Sequence, residues 1–252
     1  MGSVMTQIKE WPFIVLNFLL PEYFHRRFSR MYLGEKRINT FSQEGEDLIL
    51  DRWFKNRSKG FYVDIGAFHP IIFSNTYKFY LKGWTGINLD AMPGSMTEFN
   101  KVRNGDVNLE LGISSSGADL NYHMFSPGVF NTFNLEEAEK KKKWPNVKYL
   151  KSEIIPTSRL EQILLAHVPE GVDIDFISID VEGNELDVLK SNDWVNFRPK
   201  MLIVEILRQT LDEILNNPIT CFLHEQQYEL IAKTANSIFY IASSEIDLIR
   251  QT

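Results

Sequence analysis

Carboxylates end several stretches that otherwise read as apolar strands. They are Asp64 in "GFYVDIGAFHP" (60–70), Asp90 in "GINLD" (86–90), Asp180 and Glu182 in "DFISIDVEGNE" (175–185), and Glu205 in "MLIVEI" (201–206). A carboxylate in an apolar strand is costly to bury unless it has a partner. Strand ends in an open α/β sheet converge on one crevice, which would bring these acids together. Two kinds of chemistry suit such a group. Asp180, supported by Glu182, could take a proton from a weakly acidic substrate; alternatively Asp180 and Glu205 could hold Mg²⁺ or Mn²⁺, which would acidify that substrate instead. His69 and His123 are the other candidate proton acceptors. Asp90, at the end of the second strand, suits hydrogen bonds to both hydroxyls of a ribose. Asp64 could face a ligand's ammonium group, often through water.

Each of these residues also has a plainer reading. Glu185 and Asp187 are favourable charges in the first turn of a helix, and Gly183 is a turn residue before it. Glu205 divides evenly between site and structure. Pro70 restricts His69 toward extended geometry, so His69 could simply cap its turn. Asn75 could contact the carboxylate of a cofactor or cap the helix that follows. His25, His167 and His224 fall in helix-like segments and read as packing or surface residues.

The turn after the first strand narrows the ligand. Gly66 and Ala67 follow Ile65, but His69 and Pro70 stand where a dinucleotide-binding loop would carry further glycines. A pyrophosphate calls for three glycines so that backbone amides and a helix N-terminus can approach it. A compact amino-acid-like tail with a sulfonium needs one glycine and an acidic neighbour. The pattern therefore disfavours a nicotinamide cofactor.

These residues must be positioned by alternating strands and helices. "EGEDLILDRWFK" (44–55) has helical apolar spacing, and "SNTYKFYLK" (74–82) predicts a helix starting at a Ser/Asn pair. "GSMTEFNKVR" (94–103) predicts another, closed by Asn104-Gly105, and "VNLELGIS" (107–114) a third strand. Ser158 and Glu161 have capping-box spacing at the head of "SRLEQILLAH" (158–167). "YELIAKTANSIFYIAS" (228–243) reads as a hairpin. Alternation of this kind implies a parallel sheet covered on both faces. With the terminal hairpin it gives six parallel strands and a seventh inserted antiparallel, the layout of S-adenosylmethionine-dependent methyltransferases.

Residues 117–152 form an insertion and the best candidate for a substrate cover. Its aromatics Tyr122, Phe125, Phe130 and Phe133 could stack on a sugar or form ordinary core. In "EEAEKKKKW" (136–144) the glutamates precede the lysines, the order a helix macrodipole favours, so a solvated helix is the preferred reading. If the run is functional, a phosphate-bearing acceptor follows.

The 252 residues, 44% hydrophobic and 24% charged, suit one α/β domain over 41–252 with an N-terminal helical extension over 1–40. A net charge of −6 gives no footprint for nucleic acid. The single cysteine, Cys221, points to a reducing, cytoplasmic setting and reads as a small hydrophobe. "WPFIVLNFLLP" (11–21) is too short to span a membrane. Packing on the domain or a partner subunit is favoured for it over lying on a membrane surface.

The sequence resembles the FkbM family of methyltransferases over about residues 40–245. Four blocks carry the resemblance: "FSQEGEDLIL" (41–50), "GFYVDIGAFHPIIFSNTYKFYLKGWTGINLD" (60–90), "FISIDVEGNELDVLK" (176–190) and "PKMLIVEI" (199–206). It implies a class I, Rossmann-like methyltransferase fold using S-adenosylmethionine, usually to methylate a hydroxyl on a sugar or natural-product scaffold. By position, Gln43, Asp64, Gly66, Ala67 and Asp90 would surround the cofactor. The sequence departs at "DAMPG" (90–94), where many relatives have Glu followed by Pro. Two other classes stay open: a member that keeps the cofactor fold without catalysis, and a nicotinamide oxidoreductase.

Overall fold

The structure, a computed structural model, describes residues 39–55 and 57–247. The expected helical extension over 1–40 lies almost wholly outside the described residues, as does the apolar segment 11–21. Among the described residues no helix is long and apolar enough to cross a membrane.

In chain order the strands are β1 (Phe61–Ile65), β2 (Thr85–Asp90), β3 (Val107–Glu110), β4 (Gly112–Ile113), β5 (Leu120–Ser126), β6 (Lys148–Ile155), β7 (Thr157–Ser158), β8 (Phe176–Ile179), β9 (Met201–Glu205), β10 (Tyr228–Lys233) and β11 (Ser237–Ala242). The helices are α1 (Glu46–Trp53), α2 (Tyr77–Tyr80), α3 (Met96–Val102), α4 (Leu135–Lys141), α5 (Leu160–His167), α6 (Glu185–Lys190), α7 (Leu211–Leu215) and α8 (Pro218–Glu225). Seven strands form the central sheet in the order β10-β11-β9-β8-β1-β2-β3. Neighbours from β9 to β3 are parallel, and β11 alone runs antiparallel to both strands beside it. The expected six-plus-one sheet is the observed one.

Every residue of β1 and of β8 is buried, as expected of parallel strands covered on both faces. The period of two then sorts β1 side chains between two cores. Phe61, Val63 and Ile65 pack with Leu160 and Leu164 of α5, Val188 and Leu189 of α6 and Leu223 of α8. Tyr62 packs on the opposite face among Leu50, Phe54, Phe79, Trp84 and Phe176.

Asp64 belongs to the Tyr62 face and enters a buried polar network. Its Oδ2 accepts from the Thr76 hydroxyl at 2.7 Å, and Thr76 accepts from the Arg103 guanidinium at 2.8 Å. Arg103, wholly buried, also pairs with Asp106 at 2.8 Å and donates to the Tyr62 hydroxyl at 2.6 Å. A buried ion survives only when it is partnered in this way.

Four details differ from the sequence reading. The third strand does not run through 107–114; after Glu110 the chain leaves the sheet, and β4 pairs with β7 instead. Gly112 makes room for the Phe133 ring, from which a Cβ there would stand 2.6 Å. The 158–167 helix starts one residue later than its expected cap: Arg159 is the N-cap, Gln162 accepts its amide, and Glu161 pairs with the Arg159 side chain. In the 74–82 segment only Tyr77–Tyr80 is α-helical; Ser74 accepts the Tyr77 amide at 3.0 Å, whereas Asn75 turns away to Ser178. The insertion contains an unforeseen antiparallel pair, β5 with β6. Most of β6 is exposed, so it lacks the clean alternation that announces a strand.

Candidate active site

The register of the sheet assembles the site. Ile65 of β1 lies beside Leu89 of β2 and Ile179 of β8, and Ile179 lies beside Val204 of β9. One residue beyond that row come Gly66, Asp90, Asp180 and Glu205. All four line a cleft of about 390 Å³ at the carboxyl ends of the strands, together with Gln43 and Glu182. That volume falls in the range of small-ligand sites.

Gly66 is required by close approach. It has φ 82°, and a Cβ there would stand 1.7 Å from the Asp180 carbonyl oxygen. The amides of Gly66 and Ala67 both donate to the Leu89 carbonyl, at 2.9 and 3.0 Å. The turn is thus pinned between β2 and β8. Ala67 packs against Met96 and Phe99 behind it and does not line the cleft.

Asp90 is positioned by two backbone amides: Oδ2 accepts from Phe68 at 2.9 Å and Oδ1 from Met92 at 2.7 Å. Burial raises its pKa, and these two bonds oppose that shift by favouring the ionised form. Gln43 reaches the cleft from a loop that its acidic neighbours fold. Asp47 accepts from the Phe41 amide at 2.9 Å and the Ser42 hydroxyl at 3.0 Å, and Glu44 accepts from the Asn236 amide and side chain, both at 2.8 Å.

Asp180, Glu182 and Glu205 come together: one oxygen from each lies within 4.8 Å of the others. Burial and then the Glu182 charge push the Asp180 pKa up, to about 7. Burial and then the Asp180 charge raise Glu205 further, which favours a proton on Glu205 over one on Asp180. Asp180 opens to solvent on its cleft side, which moderates the shift without reversing it. Of the two carboxyls, Glu205 is the more strongly raised and Asp180 the one that ionises first.

Three carboxylate oxygens at this spacing are a reasonable donor set for a hard divalent cation. One of them is already committed. The ammonium of Lys141 in α4 lies 2.8 Å from Glu182 Oε2, and its side chain is 1% exposed.

Other expected site residues stand apart from the cleft. His69 Nδ1 accepts the amides of Ile71 and Ile72, both at 3.0 Å, and Nε2 faces Glu98 at 3.4 Å. The ring serves the turn, and nothing in the geometry brings it to the acids. His123 is buried in the β5–β6 pair, where burial lowers its pKa. Asp64 and Asn75 lie behind the lining, bonded to Thr76 and Ser178. Glu185 accepts the amides of Val181 and Gly183, at 3.2 and 2.9 Å, and so shapes the acid loop as a helix-start residue should.

The sequence reading missed Phe68, Phe73, Trp144 and Arg208 as parts of the wall. Phe68 and Phe73, joined through the His69-Pro70 turn, stack with centroids 6.4 Å apart and form an exposed lip. The insertion contributes Trp144 and, of the aromatics offered from the sequence, Tyr122, Phe130 and Phe133; Phe125 packs on Tyr149 instead and does not line the cleft. Arg208, just after β9, lies over the Trp144 ring at 5.0 Å. Phe68, Phe73, Glu182 and Arg208 all have positive φ, between 53° and 59°, and all line the cleft. Such conformations cost about 1–3 kcal/mol each and gather where a surrounding structure imposes them.

A sheet with one reversed strand, a one-glycine turn after β1 and an acid ending β2 define a class I, Rossmann-like methyltransferase fold. The family model described as Methyltransferase FkbM domain matches residues 64–230. The chain belongs to the FkbM methyltransferase family. Its fold is also similar to a crystal structure described as that of a proposed RNA methyltransferase from Pyrococcus horikoshii, at TM-score 0.40 and 9% identity, over 86% of this chain and 98% of that one. No curated protein matches the chain.

Proposed function

We propose that the protein transfers a methyl group from S-adenosylmethionine to a hydroxyl oxygen of a sugar, glycan or natural-product acceptor. The clustered Asp180, Glu182 and Glu205 carboxyls, level with the Gly66 turn and Asp90 in one cleft, carry this reading. S-adenosylmethionine supplies a methyl group already activated as a sulfonium. The chain must hold the acceptor oxygen in place and remove its proton. Positioning of this kind contributes up to about 7–11 kcal/mol in well-oriented reactions.

Asp180 takes the hydroxyl proton as the new oxygen–carbon bond forms. An acid with its pKa raised toward 7 is better matched to that task at neutral pH than an ordinary carboxylate. Glu205 and Glu182 flank Asp180. Asp90 has both oxygens directed by the backbone and lone pairs left for ribose hydroxyls, while Gln43 and Gly66 border the amino-acid tail. The aromatic wall of Tyr122, Phe130, Phe133 and Trp144 suits the apolar face of a sugar ring.

Calorimetry tests the cofactor half of this reading. S-adenosylmethionine is expected to bind and NAD is not. Asp90→Ala should weaken S-adenosylmethionine at least about 10-fold, the effect of losing a hydrogen bond to a charged group. Unchanged affinity in Asp90→Ala would remove Asp90 from the cofactor site.

A further inference from the structure

We propose that Lys141 is the acid cluster's own counter-cation, holding Glu182 in the position a divalent metal would otherwise claim, so that the site works without a metal ion. This rests on the reading of Asp180, Glu182 and Glu205 as the catalytic cluster.

Lys141 is unlike the lysines around it. Lys140 and Lys142 pair with Glu137 and Glu139 on the exposed side of α4, both at 2.6 Å, as a solvated helix predicts. Lys141 shares its face with the buried Ala138 and turns inward. Its ammonium bonds Glu182 Oε2 at 2.8 Å and the Phe130 carbonyl at 3.3 Å. Withdrawing it would leave Glu182 half-buried beside two other carboxyls with no positive partner, a costly arrangement.

The surrounding contacts fix that pairing. Thr132 donates to the Glu182 carbonyl at 2.9 Å, and Asn134 donates to the Gly183 carbonyl at 2.9 Å. Gly183 lets α4 close on the loop, because a Cβ there would meet the Glu137 side chain at 2.8 Å. The insertion is thus latched to the acid loop by two further hydrogen bonds beside the Lys141–Glu182 contact. A divalent ion using Glu182 would have to displace an ammonium already in contact, or sit beside it against like-charge repulsion. Lys141 is accordingly a positioning residue. It acts through Glu182 and ties the aromatic wall to the proton-accepting pair.

Titration with Mn²⁺ alone, followed by calorimetry and electron paramagnetic resonance, tests this without any acceptor or turnover. Wild type and Lys141→Arg are expected to bind no Mn²⁺ in the cleft. Lys141→Met should gain a site at least 10-fold tighter than any in wild type, and adding Glu182→Gln should abolish it. Methyl transfer by wild type should be unchanged by EDTA. A single Mn²⁺ bound by wild type and lost in Glu182→Gln would overturn the proposal, whether or not Lys141→Met folds. So would a folded Lys141→Met that gains no site, or turnover lost to EDTA and restored by Mn²⁺. Failure of the methyltransferase reading would show separately, as absent S-adenosylmethionine binding.

Discussion

Asp180→Asn is expected to lower methyl transfer by about 100- to 10,000-fold, the usual contribution of a positioned general base, while S-adenosylmethionine affinity stays within about twofold of wild type. Asn keeps the shape of the side chain and one of its oxygens. It cannot take a proton. The cofactor contacts assigned to Asp90, Gly66 and Gln43 are untouched, so a loss of binding in this variant would mean that Asp180 holds the cofactor rather than the acceptor. The wild-type pH profile carries the same prediction. The raised pKa of Asp180 makes it an effective acceptor only once its own proton is gone. Activity should therefore rise with pH through the region of 7 and fall on the acid side as Asp180 protonates. A flat profile between pH 5 and about 8 would contradict this assignment.

Gly66→Ala is expected to be the most damaging single methyl group in the cleft. The added Cβ would stand 1.7 Å from a backbone carbonyl oxygen, that of Asp180, and the residue has φ 82°. Neither strand can yield easily, since Asp180 N donates to Ile65 O at 2.9 Å and Gly66 N donates to Leu89 O at 2.9 Å. Overpacking costs about 1–3 kcal/mol and the left-handed conformation about 1–2, so the loss of stability should reach about 2–5 kcal/mol. Gly83→Ala is the matched control. Gly83 has φ 86° and nothing within 4 Å of its would-be Cβ, so only the backbone term applies. Chemical denaturation of both variants separates strain from crowding. Equal losses would show that Gly66 is kept for its dihedral angles alone.

The parts of this site that could be read from sequence share one property: each is a single acid or glycine set against an apolar run. Asp90, Asp180 and Glu205 stand out because strands of Ile, Leu and Val have no structural use for an unpartnered carboxylate. The reversed strand β11 was legible because two apolar runs, Tyr228–Lys233 and Ser237–Ala242, flank a short polar turn. Lys141 was hidden because a run of charges reads as solvated, and only its spacing from Ala138 marks the inward face. Arg103 and Asp106 were hidden in the same way, at what looks like an ordinary helix end. Phe68 and Phe73 flank a histidine and proline that drew attention to themselves. The structure gives the pair a simpler role, with His69 accepting two amides so that the turn presents its aromatic neighbours. The β5–β6 pair gave no periodic signal, because burial is uneven along β6. Residues that work through a partner distant in sequence are the ones that sequence spacing conceals.

Transfer of labelled methyl from S-adenosylmethionine to a panel of nucleotide sugars, glycan extracts and hydroxylated natural products tests the central claim most directly. The account predicts label on the hydroxyl oxygen of at least one acceptor with wild-type protein and none above background with Asp180→Asn. Transfer by Asp180→Asn at the wild-type rate, or label found on nitrogen or carbon, would contradict it.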